Sequence, residues 1–154
     1  MTKVLMVCLG NICRSPMAEG ILRDTARSRG LQIETDSCGT SSWHLGHTAD
    51  PRAIVNMKTH GIDISDLRSR PFDVTDFTSF DHIFVMDRQN LADVLALAQT
   101  QEARSKVKLF LDESEATKVK EVPDPYYGGD EGFENVFNLL NDATESFLKR
   151  HLTN

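Results

Sequence analysis

The sequence lacks any long hydrophobic run. No apolar stretch in the 154-residue chain is long enough to span a bilayer. The apolar start, residues 1–8, is short, and no small-residue cleavage site follows it. We therefore interpret it as a buried strand rather than a signal peptide. We expect a cytoplasmic, reducing location and no association with a membrane.

Cysteine is also scarce, with three residues at Cys8, Cys13 and Cys38. An odd number excludes a complete disulfide framework. In a reducing compartment, free thiols either belong to the core or carry chemistry. The histidines show no metal-ligand spacing with the cysteines, so we predict no metal site and no cofactor.

Basic residues are not in excess, because the formal net charge is −6. An acidic protein is a poor general binder of nucleic acid, and we expect no nucleic-acid partner. Residues 1–30 are nevertheless richer in basic than in acidic side chains, whereas residues 112–134 are strongly acidic. If the ligand is an anion, local groups must bind it. No repeat, low-complexity segment or Pro/Gly-rich linker divides the chain, so we predict one domain, 1–154.

Apolar runs alternate along the chain with helical patterns. The predicted strands are Lys3–Cys8, Gln32–Cys38, His82–Met86 and Lys106–Leu111. The predicted helices are Ser15–Arg29, residues 50–61, Asp87–Gln99 and Asp130–Leu152. This alternation predicts an α/β fold of three layers: a four-stranded parallel sheet with helices on both faces, Rossmann- or flavodoxin-like. Ligands of such sheets bind beyond the carboxyl ends of the strands, which places the site at residues 8–15.

The loop of residues 8–15 joins the first strand to the first helix. A loop of this length can turn successive backbone N–H groups inward and form an anion nest at the helix N-terminus. Gly10 and Asn11 tolerate the unusual backbone angles that such a loop needs. Cys8 would be a thiolate nucleophile, and the planar guanidinium of Arg14 matches two phosphate oxygens. Ser15 is expected to cap the helix and to donate a hydrogen bond to the sulfur of Cys8.

Each of these residues has a plainer interpretation when taken alone. A cysteine at the end of an apolar strand is usually a small core residue, and an arginine is usually a surface charge. The combination of Cys8, a Gly-Asn pair and an arginine directly before a serine at a helix start favours catalysis.

The segment of residues 7–19, VCLGNICRSPMAE, resembles the signature of the low molecular weight protein tyrosine phosphatases. The resemblance continues through most of the chain, at residues 36–37, 43, 50–53, 60–62, 80–81, 86–87 and 124–128. It implies a metal-free, two-step reaction through a phosphocysteine, with residues 9–13 (Leu9, Gly10, Asn11, Ile12 and Cys13) around the phosphate. It also implies tyrosine-phosphorylated proteins as partners, and a tyrosine kinase as a further one. We expect a monomer, with a weak dimer as the alternative.

The general acid is assigned to Asp124, which lies between two prolines. By local sequence alone, an Asp-Pro turn in an acidic surface loop is the more common case. The resemblance reverses this, because the family's acid, which later acts as base, lies in the same Asp-Pro-Tyr-Tyr motif. Tyr126 and Tyr127 would form one aromatic wall for a flat substrate, and Trp43 the opposite wall.

Three further residues have expected supporting roles. Asn11 and Ser37 resemble the pair that braces the loop in the family. Cys13 is either a buried small residue or, as the resemblance implies, a thiol that forms a reversible disulfide with oxidised Cys8. Cys38 is interpreted as structural. Many family members carry a supporting histidine within the segment that corresponds to residues 63–68, and this chain has none there.

Three rival functions compete with this interpretation. A thiol-dependent arsenate reductase would use the same anion nest, but it needs a relay cysteine later in the chain, and none follows Cys38. A non-catalytic phosphotyrosine-binding module would lack the nucleophile or the acid, whereas Cys8 and Asp124 are both present. A nucleotide-binding phosphate loop would need a Gly-x-x-x-x-Gly-Lys motif, which is absent.

Overall fold

A computed structural model describes residues 1–126 and 129–151. The strands are β1 (Thr2–Cys8), β2 (Ile33–Gly39), β3 (His82–Val85) and β4 (Val107–Leu109). The helices are α1 (Arg14–Ser28), α2 (Pro51–Thr59), α3 (Asp76–Ser79), α4 (Arg88–Leu95), α5 (Gln101–Ser105) and α6 (Asp130–His151), with a 3₁₀ turn at Phe110–Glu113. No helix in these two ranges is both long enough and apolar enough to cross a membrane.

The four strands form one parallel sheet in the order β2-β1-β3-β4. Strand β1 is therefore central, and its last residue, Cys8, pairs with Gly39 at the end of β2. Val7 pairs with Val85, the last residue of β3. The carboxyl ends of three strands thus lie at one edge of the sheet, which is where parallel α/β folds place their sites.

Alternate residues of β1 enter two separate cores. Val4 and Met6 face a core formed mainly with α1, α2 and α6, whereas Leu5 and Val7 face a core formed with α3, α4 and α5. This alternation follows from the two-residue period of a strand. The sheet is covered on both faces, which confirms the predicted three-layer fold. The predicted apolar side of α6 is buried in the first core: Phe133, Val136, Phe137, Leu140, Phe147 and Leu148.

The start of α1 differs from the prediction. The helix begins at Arg14, and the capping position is Cys13, whose side chain makes no capping bond. The prediction that Ser15 caps the helix is therefore wrong, because Ser15 lies inside the first turn and its hydroxyl is used elsewhere. The predicted end is confirmed, since Gly30 follows the helix with a left-handed φ of 66°.

The elements after β3 are shorter than expected. Helix α4 ends at Leu95 instead of continuing to Gln99, and a separate helix, α5, begins after Thr100. Thr100 accepts a hydrogen bond from the backbone N–H of Ala103 at 3.0 Å, so its side chain starts a new helix. Strand β4 ends at Leu109 because the chain then turns into the 3₁₀ segment. Helix α3 was not predicted.

Candidate active site

The loop after β1 is held in place by hydrogen bonds that its carbonyl oxygens accept from neighbouring segments. The oxygens of Cys8 and Leu9 accept backbone hydrogen bonds from residues 40 and 41 at 2.9 and 3.0 Å, and that of Ile12 accepts one from Asp50 at 2.8 Å. The hydroxyl of Ser69 donates to the carbonyl of Gly10 at 3.1 Å. In a planar trans peptide the next N–H points opposite to the carbonyl. The loop amides therefore face away from these neighbours, which supports the predicted anion nest.

Asn11 takes the unusual backbone conformation in this loop. Its φ is 57°, the one positive φ of a non-glycine residue within 1–126 and 129–151. Asparagine tolerates this conformation better than most residues. Gly10 does not adopt a positive φ, so that part of the expectation is wrong. A Cβ at residue 10 would lie 3.0 Å from Cδ2 of His44, so a larger residue there would require this ring to shift.

The side chain of Asn11 braces the loop from below. Its Nδ2 donates to the hydroxyls of Ser15 at 2.8 Å and Ser37 at 3.0 Å, while its Oδ1 accepts from the backbone N–H of Arg70 at 3.1 Å. The hydroxyl of Ser15 lies 3.0 Å from Sγ of Cys8. Because Ser15 accepts from Asn11, its own proton can go to the sulfur or to the carbonyl oxygen of Cys38, which is farther away at 3.4 Å.

A buried carboxyl group, Glu19, ends this hydrogen-bond chain. Ser37 donates to Oε1 of Glu19 at 2.8 Å. Burial raises the pKa of Glu19 to about 7, and this outweighs the lowering by the Ser37 hydrogen bond. In the segment of residues 63–68, where no histidine is present, Asp66 pairs with Arg23 at 2.9 Å.

Arg14 is buried and fixed in one orientation. Its Nη1 donates to Oδ2 of Asp87 at 2.6 Å and to the carbonyl of Val122 at 3.1 Å, and its Nη2 lies 3.9 Å from Oδ2 of Asp124. Burial tends to lower the pKa of Arg14, but Cys8, Asp87 and Asp124 together raise it. The guanidinium is therefore a permanent and well-positioned cation.

Sequence reasoning misses three residues of the site: Asp87, Glu19 and His44. Asp87, which orients Arg14, is predicted as a helix start and as part of the resemblance at residues 86–87, without a role in the site. It follows the carboxyl end of β3, so the edge rule for parallel sheets could have identified it. Glu19 looked like an ordinary helix residue. Its partner Ser37 is 18 positions away in sequence, so no local pattern pointed to the contact.

A pocket of about 280 Å³ opens above the loop. Its walls come from the loop, from the segment after β2 and from the segment before α6. The lining residues are Cys8, Leu9, Gly10, Ile12, Cys13, Arg14, Trp43, His44, Asp124 and Tyr126. Asn11, Ser15 and Ser37 are buried and absent from this lining, and Tyr127 lies outside the described residues. The structure thus brings most of the predicted residues to one cavity and adds His44.

Asp124 enters the pocket from the segment before α6. Its Oδ1 accepts the backbone N–H of Tyr126 at 3.0 Å, and the N–H of Val122 donates to the carbonyl of Met86 at 2.8 Å. The ring of Tyr126 lies under the guanidinium of Arg52, 5.3 Å from its centroid. These contacts attach the segment that carries Asp124 to the end of β3 and to α2.

The other two thiols are buried. Burial, followed by the charge of Asp50, raises the pKa of Cys13, and burial likewise raises that of Cys38. Within the part of the chain that the structure describes, no group of three or more His, Cys, Asp and Glu side chains could hold a metal ion.

Comparison with known proteins decides the family. The sequence profile described as low molecular weight phosphotyrosine protein phosphatase matches residues 3–154. The chain belongs to this family. A phosphatase of that name from Schizosaccharomyces pombe is 44% identical over 150 residues, which cover 96% of this chain and 95% of the relative. The low molecular weight protein-tyrosine-phosphatase YfkJ of Bacillus subtilis is 39% identical over 150 residues, which cover 96% of this chain and 94% of that relative.

The solved structures agree with this assignment. A protein tyrosine phosphatase from Entamoeba histolytica superposes with a TM-score of 0.93 at 39% identity, covering 97% of this chain and 96% of that one. The present phosphatase is therefore a hydrolase of the protein-tyrosine phosphatase type, and the resemblance and fold predicted from its sequence are confirmed.

Proposed function

We propose that this phosphatase hydrolyses phosphotyrosine and aryl phosphate monoesters through a phosphocysteine intermediate on Cys8. The observation that carries the proposal is that the Cys8 sulfur, the Arg14 guanidinium and the Asp124 carboxyl line one pocket. A nucleophile, a phosphate-binding cation and an acid in one cavity are the three groups that this reaction needs.

In the first step the Cys8 thiolate attacks phosphorus and forms the S–P bond. The P–O bond to the phenolic oxygen breaks, and Asp124 gives that oxygen a proton as it leaves. Arg14 and the loop amides bind the phosphoryl oxygens while the transferring group becomes planar. The Asp87 hydrogen bond at 2.6 Å prevents the guanidinium from turning away during this step.

In the second step water replaces the sulfur. Asp124, now a carboxylate, takes a proton from a water molecule, whose oxygen then attacks phosphorus. The S–P bond breaks, inorganic phosphate forms, and the thiolate is restored. The hydroxyl of Ser15, 3.0 Å from Sγ, stabilises the departing sulfur by donating its proton in a hydrogen bond.

The pocket walls favour a flat substrate. Trp43 and Tyr126 line the same cavity, and Trp43 is 74% exposed, so its ring is available to a ligand. An aromatic ring carried between such side chains would be bound on its faces. We propose tyrosine-phosphorylated proteins as the substrates, with Tyr127 as a further wall residue.

A redox role for Cys13 belongs to the same proposal. Peroxide would convert the Cys8 thiolate to a sulfenic acid, and attack by Cys13 would form a disulfide and release water. The attacking group is a thiolate, and burial raises the pKa of Cys13. Disulfide formation would therefore be slow near neutral pH and faster as the pH rises.

The proposal is tested by hydrolysis assays in the presence of a metal chelator. The substrates are p-nitrophenyl phosphate and matched phosphotyrosine and phosphoserine peptides. We expect turnover of the aryl esters, little of phosphoserine, and inhibition by vanadate. Cys8→Ser should lower kcat by at least about 10⁴-fold while still binding vanadate, since a serine hydroxyl remains protonated where a thiolate would act.

Cys38→Ala serves as the matched control, because it also removes a buried thiol but none that lines the pocket. Its turnover should stay close to that of the wild type. Turnover by Cys8→Ser at the wild-type rate would contradict the nucleophile assignment. Thioredoxin-coupled reduction of arsenate, without ester hydrolysis, would instead support the reductase alternative.

A further inference from the structure

A second cavity adjoins the catalytic pocket and has no part in the proposed reaction. It is a groove of about 490 Å³ that shares Ile12, His44 and Tyr126 with the pocket. The rest of its lining comes from residues 47–51. Because the two cavities have a common wall, a peptide whose phosphotyrosine fills the pocket would pass over the groove.

Two histidines form the groove's polar side. The rings of His44 and His47 lie 5.6 Å apart at an angle of 51°. Across residues 1–126 and 129–151, neither imidazole has a hydrogen bond or an ion pair with the protein. Their ring nitrogens are therefore available to a ligand. His44 also lies against the phosphate-binding loop, with Nε2 3.6 Å from the point where a Cβ of Gly10 would be.

The other charged groups of the groove are already paired. Asp50 is 8% exposed and accepts hydrogen bonds from Nε and Nη2 of Arg52 at 3.1 and 3.0 Å. That guanidinium lies over the ring of Tyr126. Asp124, in the catalytic pocket, lies 3.9 Å from Arg14. The two imidazoles are thus the groups left to attract an anion.

The segment that carries the histidines is fixed to its neighbours. The N–H of Gly46 donates to the carbonyl of Ser69 at 2.8 Å, and the N–H of Ser69 donates to the carbonyl of His47 at 2.9 Å. The N–H of His47 donates to the carbonyl of His44 at 2.8 Å. The imidazoles are therefore presented from a turn whose backbone is already ordered, which lowers the entropic cost of binding.

We propose that His44 and His47 form a subsite for an acidic side chain, aspartate or glutamate, that lies close to phosphotyrosine in the protein substrate. The inference rests on the proposed function, because it places the phosphotyrosine in the catalytic pocket. A chain with a net charge of −6 repels acidic segments unless local donors bind them. Unlike the neutral side chain of glutamine, an imidazole can carry a positive charge that attracts a carboxylate.

The test compares phosphotyrosine peptides that differ by a single glutamate or glutamine, placed in turn at the positions before and after the tyrosine. At pH 6 we expect kcat/KM to be about threefold to fivefold higher for glutamate at one of these positions, as for other partly exposed charge pairs. In the double variant His44→Gln, His47→Gln this ratio should fall to about 1.

The readout is the glutamate-to-glutamine ratio within each variant, so a general change in turnover cancels. His151→Gln, at the distant end of α6, is the matched control and should keep the wild-type ratio. A wild-type ratio of 1 at every position, or an unchanged ratio in the double variant, would overturn the subsite. If the wild type does not hydrolyse p-nitrophenyl phosphate, the proposed function itself has failed.

Discussion

Among single residues, Glu19 links the phosphate-binding loop to the interior of the protein. The residue is 4% exposed, and its carboxyl group accepts a hydrogen bond from the hydroxyl of Ser37. Ser37 in turn accepts a hydrogen bond from the side chain of Asn11. A buried carboxyl prefers its neutral form, since desolvation penalises the charge. Asp36 and Asp66 strengthen that preference, and Arg23 opposes it. The loop is thus braced by an acid that changes charge close to neutral pH.

This titration should appear as a pH dependence of stability. The pKa of Glu19 is raised from 4.5 to about 7. The contribution of the protonated carboxyl to the stability of the folded protein is therefore fully present below about pH 4.5 and is lost as the pH rises through 7. Glu19→Gln keeps an oxygen acceptor for Ser37 but has no charge to bury. Between pH 5 and 8 the free energy of unfolding of the variant should therefore increase relative to that of the wild type, by at most about 3 kcal/mol.

The measurement is urea unfolding of both proteins across this pH range. Glu145→Gln, which removes an exposed carboxylate of α6 that pairs with Arg29 at 2.6 Å, provides the control, and its curve should run parallel to that of the wild type. Parallel curves for wild type and Glu19→Gln would show that Glu19 does not titrate in this range.

Residue identity also explains why part of the site was predictable. Cys8, Arg14 and Asp124 lie in short motifs whose chemistry is visible in the order of the residues. Asp87 and Glu19 act through partners that are 73 and 18 positions away. Such contacts depend on how helices and strands pack, which a single sequence does not reveal. His44 was missed for the same reason, although it directly follows Trp43.

Among the elements, α1 packs unusually closely against the segment after α2. A Cβ on Gly20 would lie 2.4 Å from Cγ2 of Ile64 and 3.1 Å from Cε of Met57. All three residues are buried in the core that holds the rear of the phosphate-binding loop. Glycine in mid-helix usually weakens a helix, and here its small size permits the contact.

Gly20→Ala should therefore destabilise the protein, although alanine is the better helix former. Overpacking of this kind costs about 1–3 kcal/mol, which exceeds the roughly 1 kcal/mol gained in helix propensity. Gly132→Ala in α6 is the matched control, because among residues 1–126 and 129–151 its Cβ would meet Pro125 alone, at an ordinary 3.7 Å. Urea denaturation should show a loss for Gly20→Ala and a small gain for Gly132→Ala. Equal gains would mean that α1 shifts to accommodate the methyl group.

Element boundaries were predicted less well than element types. The strand and helix patterns gave the sheet and the apolar side of α6 correctly, because hydrophobic periodicity records burial directly. Local hydrogen bonds decided the boundaries. The hydroxyl of Ser15 lies within hydrogen-bond distance of the Cys8 sulfur instead of capping α1. The hydroxyl of Thr100 caps a new helix, α5, where a longer α4 was expected.

For the whole molecule, the two cores share one sheet. Alternate residues of β1 enter each core, so neither face can lose its packing while the other keeps the strand in place. Single domains of this size usually unfold in one cooperative step. The prediction of one domain over residues 1–154 can be tested on this basis.

Methyl NMR signals of Ile21, in the first core, and Ile83, in the second, should disappear at the same urea concentration. Inorganic phosphate should move both midpoints upward together, because it binds the folded state; at a hundredfold excess over its Kd the gain is about 2.7 kcal/mol. Chloride at equal ionic strength is the control. Two separate midpoints would show that the faces unfold independently.

The burial of Cys13 and Cys38 has a practical consequence for work with this phosphatase. Burial raises the pKa of both thiols, so near neutral pH little of either is present as the thiolate that alkylating reagents attack. Cys8 is buried too, but it lines the catalytic pocket and is the proposed thiolate, so we expect a fluorescent iodoacetamide to label this sulfur in preference to the other two. The stoichiometry of labelling would report the fraction of competent active sites in a preparation, without any engineered cysteine.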